Sequence, residues 1–301
     1  MTEFDTNHME ECIIDLPCFE PSGTSVPMSE SDLLGHTLVT GGSGSGKTTR
    51  IIYPMLKQLL EHRASQSESK ISLCVIDTKA DGEMRAYLDK ASLEAGRSKD
   101  LQVVDEAGEY HIDLLEPIHR EGVNAAAQIA GLFTALIPES ETNRYWEVTF
   151  EALILQSIRL YVLTTEKRLN YSGMLEFLTR YLLQFDVLGQ EIKERIRMLE
   201  DSEDLDYEVE VSAIVDEVLA THRMWKILDL RTRSIFQSMA APLLQALSSS
   251  TARRVFSAGS ACHISDVAEQ GAVLLVSVDA VREPIIAALV GTIVKGSFYD
   301  S

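Results

Sequence analysis

The stretch Leu38–Arg50 constrains the fold more than any other part of the chain. It contains the spacing G-x-x-x-x-G-K-[ST], preceded by an apolar run and followed by a helical pattern, in the sequence LVTGGSGSGKTTR. Glycines let such a loop curl so that successive backbone N–H groups point inward at an anion, and the helix dipole adds partial positive charge there. A Gly/Ser linker is the alternative, but a linker would not be framed by a buried strand and an apolar helix. The pattern therefore predicts a strand–loop–helix unit with a phosphate-binding loop.

The residue types in this loop suit the binding of a nucleotide. We expect the Lys47 ammonium to contact the terminal phosphates and to be the catalytic residue, and the Thr48 hydroxyl to coordinate Mg²⁺. ATP and Mg²⁺ are thus the expected ligands. The other predicted nucleotide-binding residues of the loop are Gly41, Gly42, Ser43, Gly44, Ser45, Gly46 and Thr49.

The composition excludes two broad classes of protein. A chain of 301 residues with 45% hydrophobic and 24% charged residues has ample core for one large or two ordinary domains, which excludes wholesale disorder. The net charge of −19 excludes a broadly basic nucleic-acid-binding surface. Any contact with DNA must therefore be local.

The cysteines, the N-terminus and the hydropathy favour a cytoplasmic location. The cysteines have no C-x-x-C spacing and no His partners at metal spacing, which predicts reduced thiols rather than disulfides or a zinc site. They are Cys12, Cys18, Cys74 and Cys262. The N-terminus lacks the basic and apolar regions of a signal peptide. The most apolar run, Val148–Leu163, includes Glu151 and Arg159 and is too short to span a bilayer, so no transmembrane segment is expected.

Apolar runs alternate with helical patterns near both ends of the chain. Four runs have the β-forming character of strands buried on both faces. They are His36–Thr40, Ile71–Ile76, Leu101–Val104 and Ala272–Val278. Helical patterns follow the phosphate-binding loop, where Pro54 is expected to kink the helix or tighten its first turns, and cover Gly82–Ala95 and Pro284–Tyr299. This alternation predicts an α/β fold with right-handed βαβ units and a mostly parallel sheet.

The middle of the chain shows only helical spacing. The predicted helices are Val123–Ile137, Arg144–Thr164, Ser172–Leu183, Val187–Glu200, Val209–Thr221 and about Trp225–Leu247. Consecutive helices inside an α/β pattern indicate a separate subdomain. We therefore expect an irregular acidic N-terminal arm at 1–35, the first part of a nucleotide-binding core at 36–118, an all-α insertion at 119–240, and a second, incomplete part of the core at 241–301.

Several stretches, taken in order, resemble one family. They are His36–Arg50 with Pro54 after it, Val75–Lys79 (VIDTK), Leu101–Asp105 followed by Ile112–Pro117 (IDLLEP), Asn143–Ala152 (NRYWEVTFEA), and Ala272–Asp279. Together they resemble the coupling-protein ATPases of conjugation and type IV secretion, of the TraG/TraD type, within the FtsK/HerA group of RecA-like P-loop motors. The resemblance covers roughly residues 36–300. It has two departures: Asp113 stands where the family favours Asn, and no transmembrane anchor precedes the domain.

This resemblance implies a RecA-like sheet with an inserted all-α subdomain, in a motor that uses ATP to drive the transfer of DNA or of DNA and protein. It implies a homo-oligomeric ring, a hexamer, with ATP at the subunit interfaces and DNA threaded through the centre. The all-α insertion would then meet DNA, the relaxase or secretion-channel proteins. The location implied is cytoplasmic, with attachment to the inner membrane through partners.

Hydrolysis by such a motor also needs a strand that ends in Asp-Glu, to hold Mg²⁺ and polarise the attacking water. Asp77 and Asp279 each follow an apolar strand, but neither is followed by Glu. The resemblance places the Asp-Glu strand after the last helix, so we expect a fragment or truncated product that ends short of it, binds ATP and hydrolyses it poorly. The rival interpretation makes Asp77 the metal-site acid, as in P-loop kinases and GTPases. Asp77 is therefore also a candidate nucleotide-binding residue, the alternative being that it only terminates a strand.

Other functions and roles stay open at this point. The chain could be a HerA-like DNA translocase, a non-catalytic scaffold in which ATP holds the subunits of a ring together, or a nucleotide or small-molecule kinase, although no lid or acceptor site of a kinase is visible in the sequence. Arg253 and Arg254 are either arginine fingers or surface charges. The cluster Arg223–Arg233 either contacts DNA phosphates or faces acidic neighbours, and Trp146 is interpreted as a core anchor.

Overall fold

The computed structural model describes residues 12–17, 25–34, 37–66, 70–136, 144–165, 169–185, 190–200 and 209–300. The fold is mixed α/β, with a small parallel sheet. The described residues within 1–75, 81–102 and 266–275 form one compact unit, and those within 76–80, 103–265 and 276–301 form a second. The boundaries predicted at 35, 118 and 240 stay predictions.

Three strands form the parallel sheet. They are β3 (Leu73–Asp77), β4 (Leu101–Val104) and β7 (Val273–Ser277), in the spatial order β3-β7-β4. Every residue of β7 is buried, as expected for a central strand that is apolar on both faces. The sequence predictions of strands at 71–76, 101–104 and 272–278 are therefore confirmed, with ends that differ by one or two residues.

The strand expected at His36–Thr40 is absent from the structure for the four residues of that run that it describes. Residues 37–40 form no strand, and the Leu38 side chain is 85% exposed. A strand requires a hydrogen-bonded neighbour for its backbone groups, and none of the described residues pairs with this run. The prediction was wrong because four apolar or β-branched residues are too few to distinguish a buried strand from an extended loop.

The N-terminal arm contains a hairpin. Strand β1 (Cys12–Pro17) pairs antiparallel with β2 (Ser25–Ser29), and β1 packs on α2 (Tyr53–Glu61). A short helix, α1 (Glu30–Leu34), follows β2. The expected irregular arm is therefore not what the described residues form, because Ile13 and Ile14 bury apolar side chains in this unit.

A glutamine on α2 completes the outer edge of β1. The Asp15 N–H donates to Gln58 Oε1 at 2.6 Å, and Gln58 Nε2 donates to the Asp15 carbonyl at 3.1 Å. Asp15 lies opposite Pro27, which has no N–H, so the backbone groups of Asp15 face away from β2. The Gln58 amide thus takes the place of a third strand at this position.

A buried arginine ties together three segments of the same unit. Arg97 follows α3 (Glu83–Glu94), donates to the carbonyls of Ile71 and Gly271, and pairs with Asp100 Oδ2 at 3.1 Å. Lys70 Nζ also donates to Asp100 Oδ2, at 2.9 Å. Burial alone would raise the pKa of Asp100, but the hydrogen bonds from Lys70 and Arg97 lower that pKa overall. These contacts fix chain segments that are distant in sequence.

The second unit contains most of the helices. Its helical segments are α4 (Glu116–Glu121), a 3₁₀ turn (Gly122–Ala125), α5 (Ala126–Thr134), α6 (Arg144–Thr164), α7 (Tyr171–Leu183), α8 (Gln190–Glu200), α9 (Val209–Ile227), α10 (Leu230–Leu247), α11 (Ser250–Ser257) and α13 (Pro284–Asp300). Helix α12 (Ile264–Glu269) precedes β7. Among the described residues, no helix has both the length and the apolar character to cross a bilayer.

Two short parallel strands bracket the helices from α4 to α11. Strand β5 (Tyr110–Ile112) pairs with β6 (Ser260–Cys262), in the register Tyr110 to Ser260 and Ile112 to Cys262. The described residues between these strands form only helices and turns. Both strands were missed from the sequence because three residues are too few for a period-2 pattern.

One predicted helix is divided in two. The expected helix over Trp225–Leu247 is broken at residues 228–229, where α9 ends and α10 begins. Asp229 caps α10, because its Oδ1 accepts the Thr232 N–H at 2.9 Å. An Asp immediately before an apolar helical pattern is a start signal that could have located this break from the sequence.

Candidate phosphate-binding loop

The backbone of the predicted phosphate-binding loop turns through left-handed conformations. Gly44 has φ +74° and Gly46 has φ +87°, values that favour glycine over any residue with a side chain. The Ser45 N–H donates to the Gly42 carbonyl at 3.3 Å and closes a turn within the loop. The loop therefore curls as its glycines predicted.

Several N–H groups of this loop are available to a ligand. Among the residues that the structure describes, no group accepts a hydrogen bond from the backbone N–H of Gly44, Gly46, Lys47 or Thr48. These donors lie where the chain enters the helix, so the helix dipole adds partial positive charge to them. A phosphate is the kind of group that such donors bind.

The Lys47 side chain folds back over the loop. Its Nζ donates to the Gly41 carbonyl at 2.6 Å and to the Gly42 carbonyl at 2.8 Å. The ammonium is therefore held at the start of the loop. Exchanging two neutral carbonyl partners for a phosphate would strengthen its hydrogen bonds, because both groups would then be charged.

The helix after the loop begins with a wide turn. Residues Lys47–Ile52 are π-helical and continue without a break into α2, and the Tyr53 N–H donates to the Thr48 carbonyl. Pro54 has no N–H, and its ring would clash with the carbonyl four residues earlier in an α-helix. The sequence predicted a kink or a tightened turn at Pro54, whereas the turn ahead of it is widened.

The predicted metal ligand lies in this wide turn. Thr48 is half-buried, and the adjacent Thr49 Oγ1 donates weakly to the Gly46 carbonyl at 3.5 Å. The described residues contain no cluster of His, Cys, Asp or Glu side chains that could hold a metal ion by itself. A Mg²⁺ ion at this loop would take most of its ligands from phosphates and water, the usual coordination of nucleotide-bound Mg²⁺.

Asp77 belongs to the second unit, whereas the loop belongs to the first. Its Oδ1 accepts the Lys79 N–H at 3.1 Å, and its Oδ2 accepts the Ser277 hydroxyl at 3.2 Å. Asp279 is engaged in the same manner, since its Oδ1 accepts the Val281 N–H at 2.8 Å. Both carboxylates therefore stabilise turns at the carboxyl ends of their strands.

The sequence reasoning overlooked an Asp-Glu pair. Strand β4 ends at Val104 and is followed directly by Asp105 and Glu106. Val103 and Val104 are buried, so this is an apolar strand followed directly by Asp-Glu. The run LQVVDE was the signal in the sequence for this pair. Asp105 Oδ1 accepts the Ala107 N–H at 2.8 Å.

The departure at Asp113 has a simple structural reason. Asp113 Oδ1 accepts the Leu115 N–H at 3.0 Å in the turn before α4. An Asn side chain carries an oxygen that can accept the same bond, so Asp and Asn are equivalent in this turn. The carboxylate adds a contact that Asn would lack, since Asp113 Oδ2 lies 3.6 Å from His119 Nε2.

The arginines singled out from the sequence separate into two kinds. Arg223, Arg253 and Arg254 are exposed, and Arg223 Nε lies 3.7 Å from Glu200 Oε1. Arg233 is buried instead: it donates to the carbonyls of residues 225, 226 and 228 at the end of α9, and its guanidinium lies over the Trp225 ring. Arg233 is thus part of the helical core, as is the partly buried Trp146, whose ring contacts Phe236.

No protein-family profile matches this chain, and no curated protein matches it at a significant level.

Proposed function

We propose that this chain is an ATP-binding motor domain of the coupling-protein type, which uses ATP to drive the transfer of DNA or of DNA and protein. The nucleotide binds at the loop Gly41–Thr49 of the first unit. The observation that carries the proposal is the combination of free N–H groups with the Lys47 ammonium on one curled loop. The choice of family is supported by the sequence stretches between His36 and Asp279 that resemble it, which occur in the same order as in that family.

Different groups of the loop contact different parts of the nucleotide and its metal ion. The N–H groups of Gly44, Gly46, Lys47 and Thr48 donate to phosphate oxygens, and the Lys47 ammonium neutralises the charge of the terminal phosphates. The Thr48 hydroxyl supplies one oxygen ligand to Mg²⁺, which would polarise the terminal phosphate when it is bound.

Titration calorimetry with ATP and Mg²⁺ on the full chain tests this proposal. Lys47→Ala should weaken ATP binding by roughly 10–100-fold, because it removes a charge-assisted hydrogen bond of about 1.5–3 kcal/mol. The control is Lys90→Ala, which removes an exposed lysine of α3 in the same unit. Far-UV circular dichroism should show unchanged helix content in both variants. Equal ATP affinities for Lys47→Ala and the wild type would refute the proposal.

A second candidate is a non-catalytic scaffold in which ATP only holds a ring of subunits together. The scaffold is favoured by the carboxylates of Asp77 and Asp279, because each accepts a backbone N–H in a turn instead of pointing freely at a metal site. The scaffold and the motor are distinguished by light scattering with ATP and with a non-hydrolysable analogue, together with an assay of ATP turnover. A scaffold assembles equally with both nucleotides and turns over neither, whereas a motor consumes ATP faster when DNA is added.

A further inference from the structure

A second cation lies on the phosphate-binding loop, at the end away from Lys47's contacts. Lys47 contacts the carbonyls of Gly41 and Gly42 at the start of the loop. Arg50 packs on Gly46 at its end: a Cβ on Gly46 would lie 2.9 Å from Arg50 Cδ and 3.2 Å from Arg50 Nε. The Arg50 stem therefore crosses the last glycine of the loop.

The helix geometry explains why Arg50 points back at the loop. Arg50 is four residues after Gly46, and its N–H donates to the Gly46 carbonyl at 2.8 Å. Side chains on a helix lean toward its N-terminus and cover the residue one turn earlier. At the first turn this direction lays the Arg50 stem over Gly46, the last glycine of the loop. The small size of Gly46 is what makes the close passage possible.

We propose that Arg50 is a second phosphate-binding residue, so that the loop holds the polyphosphate chain of a nucleoside di- or triphosphate through a cation at each end. This inference rests on the proposed function, and it adds a residue to which the G-x-x-x-x-G-K-[ST] pattern gives no role. A guanidinium presents several N–H donors in one plane and binds phosphate oxygens in pairs. Lys47 supplies a point charge at the other end of the loop.

Calorimetric titration of the full chain with ATP and with inorganic tripolyphosphate tests the role of Arg50. Arg50→Met keeps the aliphatic stem on Gly46 and removes the charge, so it should weaken both ligands by roughly tenfold. Arg50→Lys should recover part of that loss, because it restores the charge without the planar donors. The matched control is Lys90→Met, which should leave both affinities unchanged. Arg50→Gln serves in place of Arg50→Met if the latter does not fold.

The outcomes separate this inference from the proposed function. If Lys47→Ala binds ATP more weakly than the wild type, but Arg50→Met binds it as the wild type does, the role of Arg50 is overturned and the proposed function stands. If Arg50→Met binds ATP more weakly but binds tripolyphosphate as the wild type does, Arg50 contacts the nucleoside, and its role in binding phosphate is overturned. If the wild type binds neither ligand, both the inference and the proposed function fail.

Discussion

Gly259 lies between α11 and β6, and its replacement tests how the pairing of β5 with β6 holds the helices from α4 to α11. Gly259 has φ +73°, and a Cβ there would lie closer than 3.0 Å to the carbonyl oxygens of Glu109 and Gly108. The Glu109 oxygen also accepts the Ser260 N–H at 3.0 Å, the hydrogen bond that begins the pairing of β5 with β6. Gly259→Ala therefore strains the backbone and displaces this carbonyl at the same time.

The cost of Gly259→Ala can be estimated from these two contributions. A left-handed conformation costs a residue with a side chain about 1–2 kcal/mol. Moving the Glu109 carbonyl out of contact breaks a hydrogen bond worth about 0.5–1.5 kcal/mol, and any remaining overlap adds strain. We therefore expect the free energy of unfolding to fall by about 2–4 kcal/mol, a large fraction of the stability of a typical domain.

Gly96→Ala is the matched control. Gly96 has φ +72°, but no atom lies within 4 Å of the position its Cβ would take. The free energy of unfolding of Gly96→Ala should fall only by the conformational contribution of about 1–2 kcal/mol. Urea denaturation followed by far-UV circular dichroism measures both variants, and hydrogen exchange at the Ser260 amide reports the local effect. Equal losses, with unchanged exchange at Ser260, would refute the reasoning that the close approach of Gly259 anchors the helical segment.

Two further predictions concern the loop and one buried histidine. Gly46→Ala should weaken ATP binding by roughly tenfold, because its Cβ would lie 2.9 Å from Arg50 Cδ and would displace the Arg50 side chain, whereas Gly42→Ala should leave ATP binding nearly unchanged in calorimetry because its Cβ meets no atom within 4 Å. Burial lowers the pKa of His222 below its usual 6.5, so its contribution to stability is present above that pH and is lost as the pH falls toward the folded-state pKa. Urea denaturation at pH 7.5 and 5 should show a smaller loss for His222→Gln than for the wild type.

Much of the fold could be predicted from periodicity. The strands β3, β4 and β7 were expected because continuous apolar runs of β-forming residues suit strands buried on both faces. Helix α6 was predicted with the bounds that it has, Arg144–Thr164, since its apolar positions recur over six turns. Long, strongly periodic segments carry enough local signal to specify their own structure.

Features that depend on distant partners could not be predicted in this way. The hairpin β1–β2 is completed by Gln58, and the pairing of β5 with β6 joins residues about 150 positions apart. Neither contact leaves a periodic pattern in the sequence. At the candidate site, the positions of Lys47 and the left-handed glycines follow from the motif, but the return of Arg50 to Gly46 does not. It depends on the direction of side chains in a helix whose first turn is π-helical.

The strand order β3-β7-β4 has a consequence for the synthesis of the protein. The two outer strands lie within the first 104 residues, whereas the central strand spans residues 273–277. On the ribosome, β3 and β4 therefore emerge long before the strand that pairs with both of them. Until then their backbone groups and apolar side chains lack their native partner, a state that invites aggregation. The sheet can close only after β7 has been made, so a delay between the synthesis of β4 and that of β7 should increase the need for chaperones more than a delay before β4.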